Sequence, residues 1–102
     1  MPWIRACDSD ELEAGDMRRF ELNEEEVALY RLNDGFYATS DICTHARASL
    51  NEGTLAGRIV TCPLHGGQFD VQTGRAVKLP CVTPLQTFAV REEDGAVWVE
   101  IE

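Results

Sequence analysis

Two short segments gather the groups in this chain best suited to bind a metal. One is Cys43-Thr44-His45, and the other is Cys62-Pro63-Leu64-His65. Sixteen residues separate His45 from Cys62. The chain has two histidines, and each stands two or three residues after a cysteine. Thiolate is a soft anionic ligand and neutral imidazole a harder nitrogen ligand. Two arms that each carry one of both can surround a single centre. A Cys2His2 zinc site is the first centre that fits these donors. Structural zinc sites usually pair cysteine with cysteine and histidine with histidine, whereas each arm here is mixed. A binuclear iron–sulfur cluster is the second: with the arms face to face, both cysteines hold one iron and both histidines the other. Cys7 and Cys81 remain. Cys7 reads as core packing in a first strand. Cys81 reads as a small buried or half-buried residue beside the metal loops, with a redox role as the alternative.

Loops of this kind need a rigid support. Turn signals recur about every ten residues, at Asn33-Asp34-Gly35, Asn51-Glu52-Gly53, His65-Gly66-Gly67, Thr73-Gly74 and Asp94-Gly95. Short β-prone runs lie between them, and no segment keeps helical periodicity for ten residues. The spacing predicts an all-β antiparallel sandwich or barrel. Strands are expected over Trp3–Ala6, Asp16–Leu22, Glu26–Leu32 and Phe36–Thr39, with one helical turn between Asp8 and Glu13. In Val27-Ala28-Leu29-Tyr30-Arg31-Leu32 the two-residue alternation leaves both faces partly apolar. Further strands are expected as a pair around Gly57 and as a pair across Thr73-Gly74. A closing hairpin is expected from Thr87–Arg91 and Val97–Ile101. The segment from about 41 to 84 holds three of the four cysteines, both histidines and three of the four prolines. It reads as a small loop-rich metal-binding subdomain set into a β framework, within a single domain of residues 1–102.

Nine Lys and Arg against eighteen Asp and Glu give a net charge of -9. That balance excludes a phosphate-backbone binder, which needs a basic footprint. No apolar run approaches the roughly 20 residues of a membrane span. Met1-Pro2-Trp3-Ile4 has neither the basic nor the apolar part of a secretory signal. The expectation is a cytoplasmic monomer, attached to no membrane or nucleic acid. In a reducing cytosol clustered cysteines are metal ligands rather than disulfides. Glu24-Glu25-Glu26 reads as a solvated turn, and Arg47, just after the first arm, as a candidate for a docking face.

With these residues in place, the chain resembles the Rieske [2Fe–2S] ferredoxins that serve bacterial aromatic-ring-hydroxylating dioxygenases. The match runs through Cys43-Thr44-His45, Cys62-Pro63-Leu64-His65-Gly66-Gly67-Gln68-Phe69-Asp70 and Thr73-Gly74. It continues into Leu79-Pro80, where the family has a third loop over the cluster. The resemblance implies a Rieske-like β fold and one [2Fe–2S] cluster per chain, with Cys43 and Cys62 on one iron and His45 and His65 on the other. It implies a one-electron carrier between an NAD(P)H-dependent flavoprotein ferredoxin reductase and a terminal oxygenase. The carrier has no substrate site of its own: with both histidines in the cluster, none is left for a mononuclear iron. Gly66 and Gly67 are expected to let backbone N–H groups approach the cluster, while Pro63, Leu64 and Pro80 keep water from it. Respiratory Rieske proteins carry a loop-to-loop disulfide, where this chain has Ala48 and Leu64. They also carry Ser and Tyr hydroxyl donors, where it has Gly67 and Phe69. Without those donors the reduction potential is expected near the low end of the family's range, about -150 mV. Two other readings of the same residues are the Rieske small subunit of another reductase, such as nitrite reductase, and a zinc-binding interaction module.

Overall fold

The computed structural model describes residues 2–44, 48–64 and 66–101. Its strands, in chain order, are β1 (Trp3–Asp8), β2 (Met17–Leu22), β3 (Glu25–Leu32), β4 (Gly35–Ser40), β5 (Thr54–Ala56), β6 (Ile59–Thr61), β7 (Gln68–Asp70), β8 (Ala76–Lys78), β9 (Thr87–Phe88), β10 (Val90–Glu93) and β11 (Ala96–Glu100). Short 3-10 turns at Ser9–Glu11 and Leu50–Glu52 are the helical elements among the described residues. The strands form three antiparallel sheets with the orders β1-β11-β10, β2-β3-β4-β9 and β5-β6-β7-β8. The all-β class is therefore as the turn spacing predicts.

Tight turns set the registers. β2 passes to β3 through Asn23-Glu24, and β10 to β11 through Asp94-Gly95, with positive φ at both central residues in each case. Such two-residue turns match the right-handed twist of the paired strands. Glu24 thus belongs to the hairpin itself. Glu26, the last residue of the acidic run, pairs with Arg19 across β2 and β3.

β3 explains the architecture. Val27 and Leu29 are fully buried in one core with Cys7, Leu22, Ala38, Val97, Val99 and Ile101. Ala28, Tyr30 and Leu32 face a second core with Cys43, Leu50, Val60, Cys62, Phe69, Val71 and Cys81. The two apolar faces read from the sequence are the walls of two cores, so the β2-β3-β4-β9 sheet is the middle layer. The terminal strands β1, β10 and β11 cover one side, and the metal-loop sheet covers the other. Between the layers, the Tyr30 hydroxyl is satisfied by Thr39 Oγ1 at 2.9 Å.

One expected element is different. Thr87–Arg91 is not a single strand. Thr87 and Phe88 pair with β4, and the chain turns at Ala89 so that Val90–Glu93 pairs with β11. Two sheets are joined through this bend, which also covers the edge of β4 that would otherwise present unpaired backbone groups.

Candidate metal centre

The two cysteine arms are built alike. Cys43 N–H donates to the Ala48 carbonyl at 2.9 Å, and Cys62 N–H donates to the Gly67 carbonyl at 2.7 Å. Each cysteine therefore closes a loop onto the residue five positions later. The second loop spans the β6–β7 hairpin, whose last pair is Thr61 opposite Gln68. There the Gln68 amide also donates to Thr61 Oγ1 at 3.0 Å.

The first loop has a single antiparallel bridge beneath it, Ile42 opposite Ser49, and is held in addition by a buried carboxylate. Asp41 is fully buried. Its Oδ1 accepts the Asn51 N–H at 3.0 Å, and its Oδ2 accepts the Ser49 hydroxyl. Its carbonyl accepts the Leu50 N–H at 2.8 Å, and Arg19 Nε lies 3.6 Å from the carboxylate. The two ends of the loop are thus tied through one side chain. Where the first loop ends the second begins: a Cβ on Gly53 would lie 1.9 Å from the Thr61 carbonyl oxygen. Only a glycine lets the backbones meet there.

A third segment follows β8. It contains the cis Leu79-Pro80 bond and is tied back by Cys81 N–H to the Lys78 carbonyl at 3.2 Å. Thr44 Oγ1 reaches across to donate to the Thr83 carbonyl at 2.8 Å. Cys81 Sγ lies 3.8 Å from Cys43 Sγ.

Cys43, Cys62 and Cys81 are all buried, and none is in a disulfide. Burial raises the pKa of the Cys62 thiol, while the Leu64 N–H, 3.4 Å from its sulfur, works in the opposite direction. Burial, followed by the neighbouring Cys43, pushes the Cys81 thiol up to about 12. Two buried cysteines from matched loops, one with an amide aimed at its sulfur, suit the thiolate half of a mixed-ligand iron–sulfur cluster. His45, Arg47 and His65 lie outside the described residues.

The Rieske [2Fe–2S] domain model matches residues 2–89, nearly the whole chain. This chain belongs to the Rieske [2Fe–2S] family. Ferredoxin CarAc of Metapseudomonas resinovorans is 44% identical over 98 residues, covering 95% of this chain and 92% of that protein. The ferredoxin component of biphenyl 2,3-dioxygenase from Rhodococcus jostii (strain RHA1) is 40% identical over 102 residues, 100% of this chain and 95% of that one. A solved complex of reduced oxygenase and oxidised ferredoxin in carbazole 1,9a-dioxygenase contains a chain with a TM-score of 0.90. That chain is 42% identical, and the match covers 98% of this chain and 97% of that one. Within the family this Rieske protein sits with the ferredoxin components of aromatic dioxygenase systems, which carry electrons and are not themselves the oxygenases.

The structure adds to two sequence expectations about this Rieske site. Gly67 was expected to be small so that its backbone could approach the cluster. The structure gives a further reason: a Cβ there would stand 2.2 Å from Cys81 Sγ. Pro63, Leu64 and Pro80, the residues expected to keep water from the cluster, all have exposed side chains. Leu50, Val60 and Phe69, each fully buried, share one apolar core with the three cysteines. Phe69 and Gly67 leave no side-chain hydroxyl at the two positions where respiratory relatives carry one. Asp41 stands just before the first arm, where the sequence allows it to cap or orient the loop without deciding this; the structure makes it the clamp, with Ser49 and Asn51 as its partners. An aspartate before a loop is common, and nothing in the spacing announces which N–H it will meet.

Proposed function

We propose that Cys43 and Cys62 hold one iron, and His45 and His65 the other, of one [2Fe–2S] cluster per chain. The observation that carries this reading is the pair of loops closed by the same five-residue backbone bond, each presenting a buried cysteine to one core. When bound, the cluster supplies a one-electron donor and acceptor. The protein's own contribution is to hold two thiolates in an apolar setting and to direct the Leu64 N–H at one of them.

Residues 1–102 act as a single domain with the metal-binding subdomain at about 41–84. The chain works as a cytoplasmic monomer. It takes one electron from an NAD(P)H-dependent flavoprotein ferredoxin reductase and delivers it to a terminal aromatic-ring-hydroxylating oxygenase. The oxygenase half of that reading is supported by the relative crystallised with its oxygenase. Leu64, Leu79 and Val82 are exposed to 42%, 73% and 71% on the second and third loops. They supply an apolar rim for a brief encounter, on a chain whose net charge of -9 adds long-range steering.

The test is the visible absorption and low-temperature EPR of the dithionite-reduced protein. A red-brown protein with the rhombic signal of mixed His and Cys ligation is expected, and His45→Cys or Cys62→Ser should abolish that signal. A colourless, EPR-silent protein containing zinc overturns the reading. Reduction by NADH through a flavoprotein reductase, followed by reoxidation on adding an oxygenase, tests the two partners separately.

A further inference from the structure

The ligand set proposed above leaves Cys81 without a task, yet the fold takes trouble to place it. It is 3% exposed, in the same core as Cys43 and Cys62. Its sulfur lies 3.8 Å from Cys43 Sγ, within the range of a sulfur–sulfur hydrogen bond. Its side chain fills the space that a Cβ on Gly67 would need. The segment carrying it is fastened on both sides, by Cys81 N–H to Lys78 and by Thr44 to Thr83. Cys7, the other cysteine outside the ligand set, belongs to the opposite core and has no such neighbours.

A thiol held beside a metal-bound thiolate has one evident role. The metal-bound sulfur is the better acceptor, and of the pair only the Cys81 thiol has a hydrogen to give. We propose that Cys81 is a positioning residue of the metal centre whose S–H donates to the Cys43 sulfur and thereby sets the reduction potential. The inference rests on Cys43 being a ligand. A hydrogen bond to the ligand sulfur withdraws negative charge from it and favours the reduced, more negative state. In this chain Cys81 stands in for the hydroxyl donors that Gly67 and Phe69 cannot supply. Because S–H is a weak donor, its removal is expected to shift the reduction equilibrium between twofold and tenfold. The upper bound corresponds to about 59 mV for a one-electron couple.

The test compares cluster-loaded wild type, Cys81→Ala and Cys81→Ser by protein-film voltammetry, resonance Raman and EPR. Both variants are expected to keep the cluster and the rhombic EPR signal. Cys81→Ala should lower the potential and raise the iron–cysteine stretching frequency, as the bond to Cys43 strengthens. Cys81→Ser, which restores a donor, should move both back toward wild type. An alanine variant within twofold of the wild-type equilibrium, with an unchanged Raman spectrum, overturns the inference. So does loss of the cluster from both variants while their circular dichroism stays native, because Cys81 would then be a ligand. If the wild type itself holds zinc and no iron–sulfur cluster, it is the ligand reading that has failed.

Discussion

Replacing Asp41 tests the claim that one buried carboxylate holds the first metal loop. In Asp41→Ala the backbone bonds from Asp41 N–H to Glu26 and from Leu50 to the Asp41 carbonyl remain. The Asn51 N–H and the Ser49 hydroxyl both lose their acceptor. A hydrogen bond to a charged group contributes about 1.5–3 kcal/mol, and a donor left buried without a partner costs about 1–3 kcal/mol. Ser49 and Asn51 are both only half-buried, so their freed donors can turn partly to water, and the variant no longer has to bury a charge, which offsets part of the loss. The net expectation is about 2–4 kcal/mol. In a domain of this size that lowers the melting temperature by roughly 10–25 °C. Asp41→Asn keeps an acceptor for Asn51 and should cost about 1 kcal/mol. Arg19→Ala removes a 40% exposed partner that lies 3.6 Å from Asp41, together with its surface ion pair to Glu26, and should cost about 1 kcal/mol or less. The assay is thermal melting at one fixed scan rate, followed by far-ultraviolet circular dichroism and by bleaching of the cluster absorption, with iron content measured beforehand. The expected order of damage is Ala, then Asn, then the Arg19 variant. The alanine variant should also bleach before it unfolds, because its first loop is released first. An Asp41→Ala protein that melts with wild type, or an asparagine variant as damaged as the alanine one, refutes the clamp.

Three other outcomes are expected. Gly67→Ala forces a Cβ to 2.2 Å from Cys81 Sγ and should cost about 1–3 kcal/mol by overpacking; adding Cys81→Ala should recover most of it, so additive losses would contradict the contact. Burial, with Glu11 second, raises the pKa of Cys7 above its ordinary value of 9.0, so its contribution to stability is complete below about pH 9 and is lost as pH rises through the raised value. Melting temperatures should therefore be flat from about pH 7 to 8.5 and fall above 9, and Cys7→Val should fall less steeply, by up to about 1.4 kcal/mol per pH unit. Electron delivery to the partner should slow as ionic strength rises if the charge of -9 steers the encounter; a rate indifferent to salt would leave the acidic surface as a solubility feature alone.

Much of this protein is local and therefore legible along the chain. Turn chemistry at Asp94-Gly95 and Thr73-Gly74, with alternation between the turns, is enough to place most strands within a residue or two, because both signals act between near neighbours. The two apolar faces of Val27–Leu32 already imply a strand with a core on either side. Cysteine and histidine at short offsets narrow the chemistry to one metal centre, since ligand type and reach are properties of the residues themselves. Whatever depends on partners far along the chain had to wait for the tertiary structure. Thr87–Arg91 has a strand's composition throughout, yet it breaks at Ala89 because its two halves answer to different sheets. Asp41 becomes a clamp only when Ser49 and Asn51 fold back onto it. Gly67 is small because of Cys81, fourteen positions away, and Cys81 acquires a role only beside Cys43, thirty-eight positions away. Composition and spacing carry the identity of the donors; their neighbours are set by chain closure and packing, which no local pattern contains.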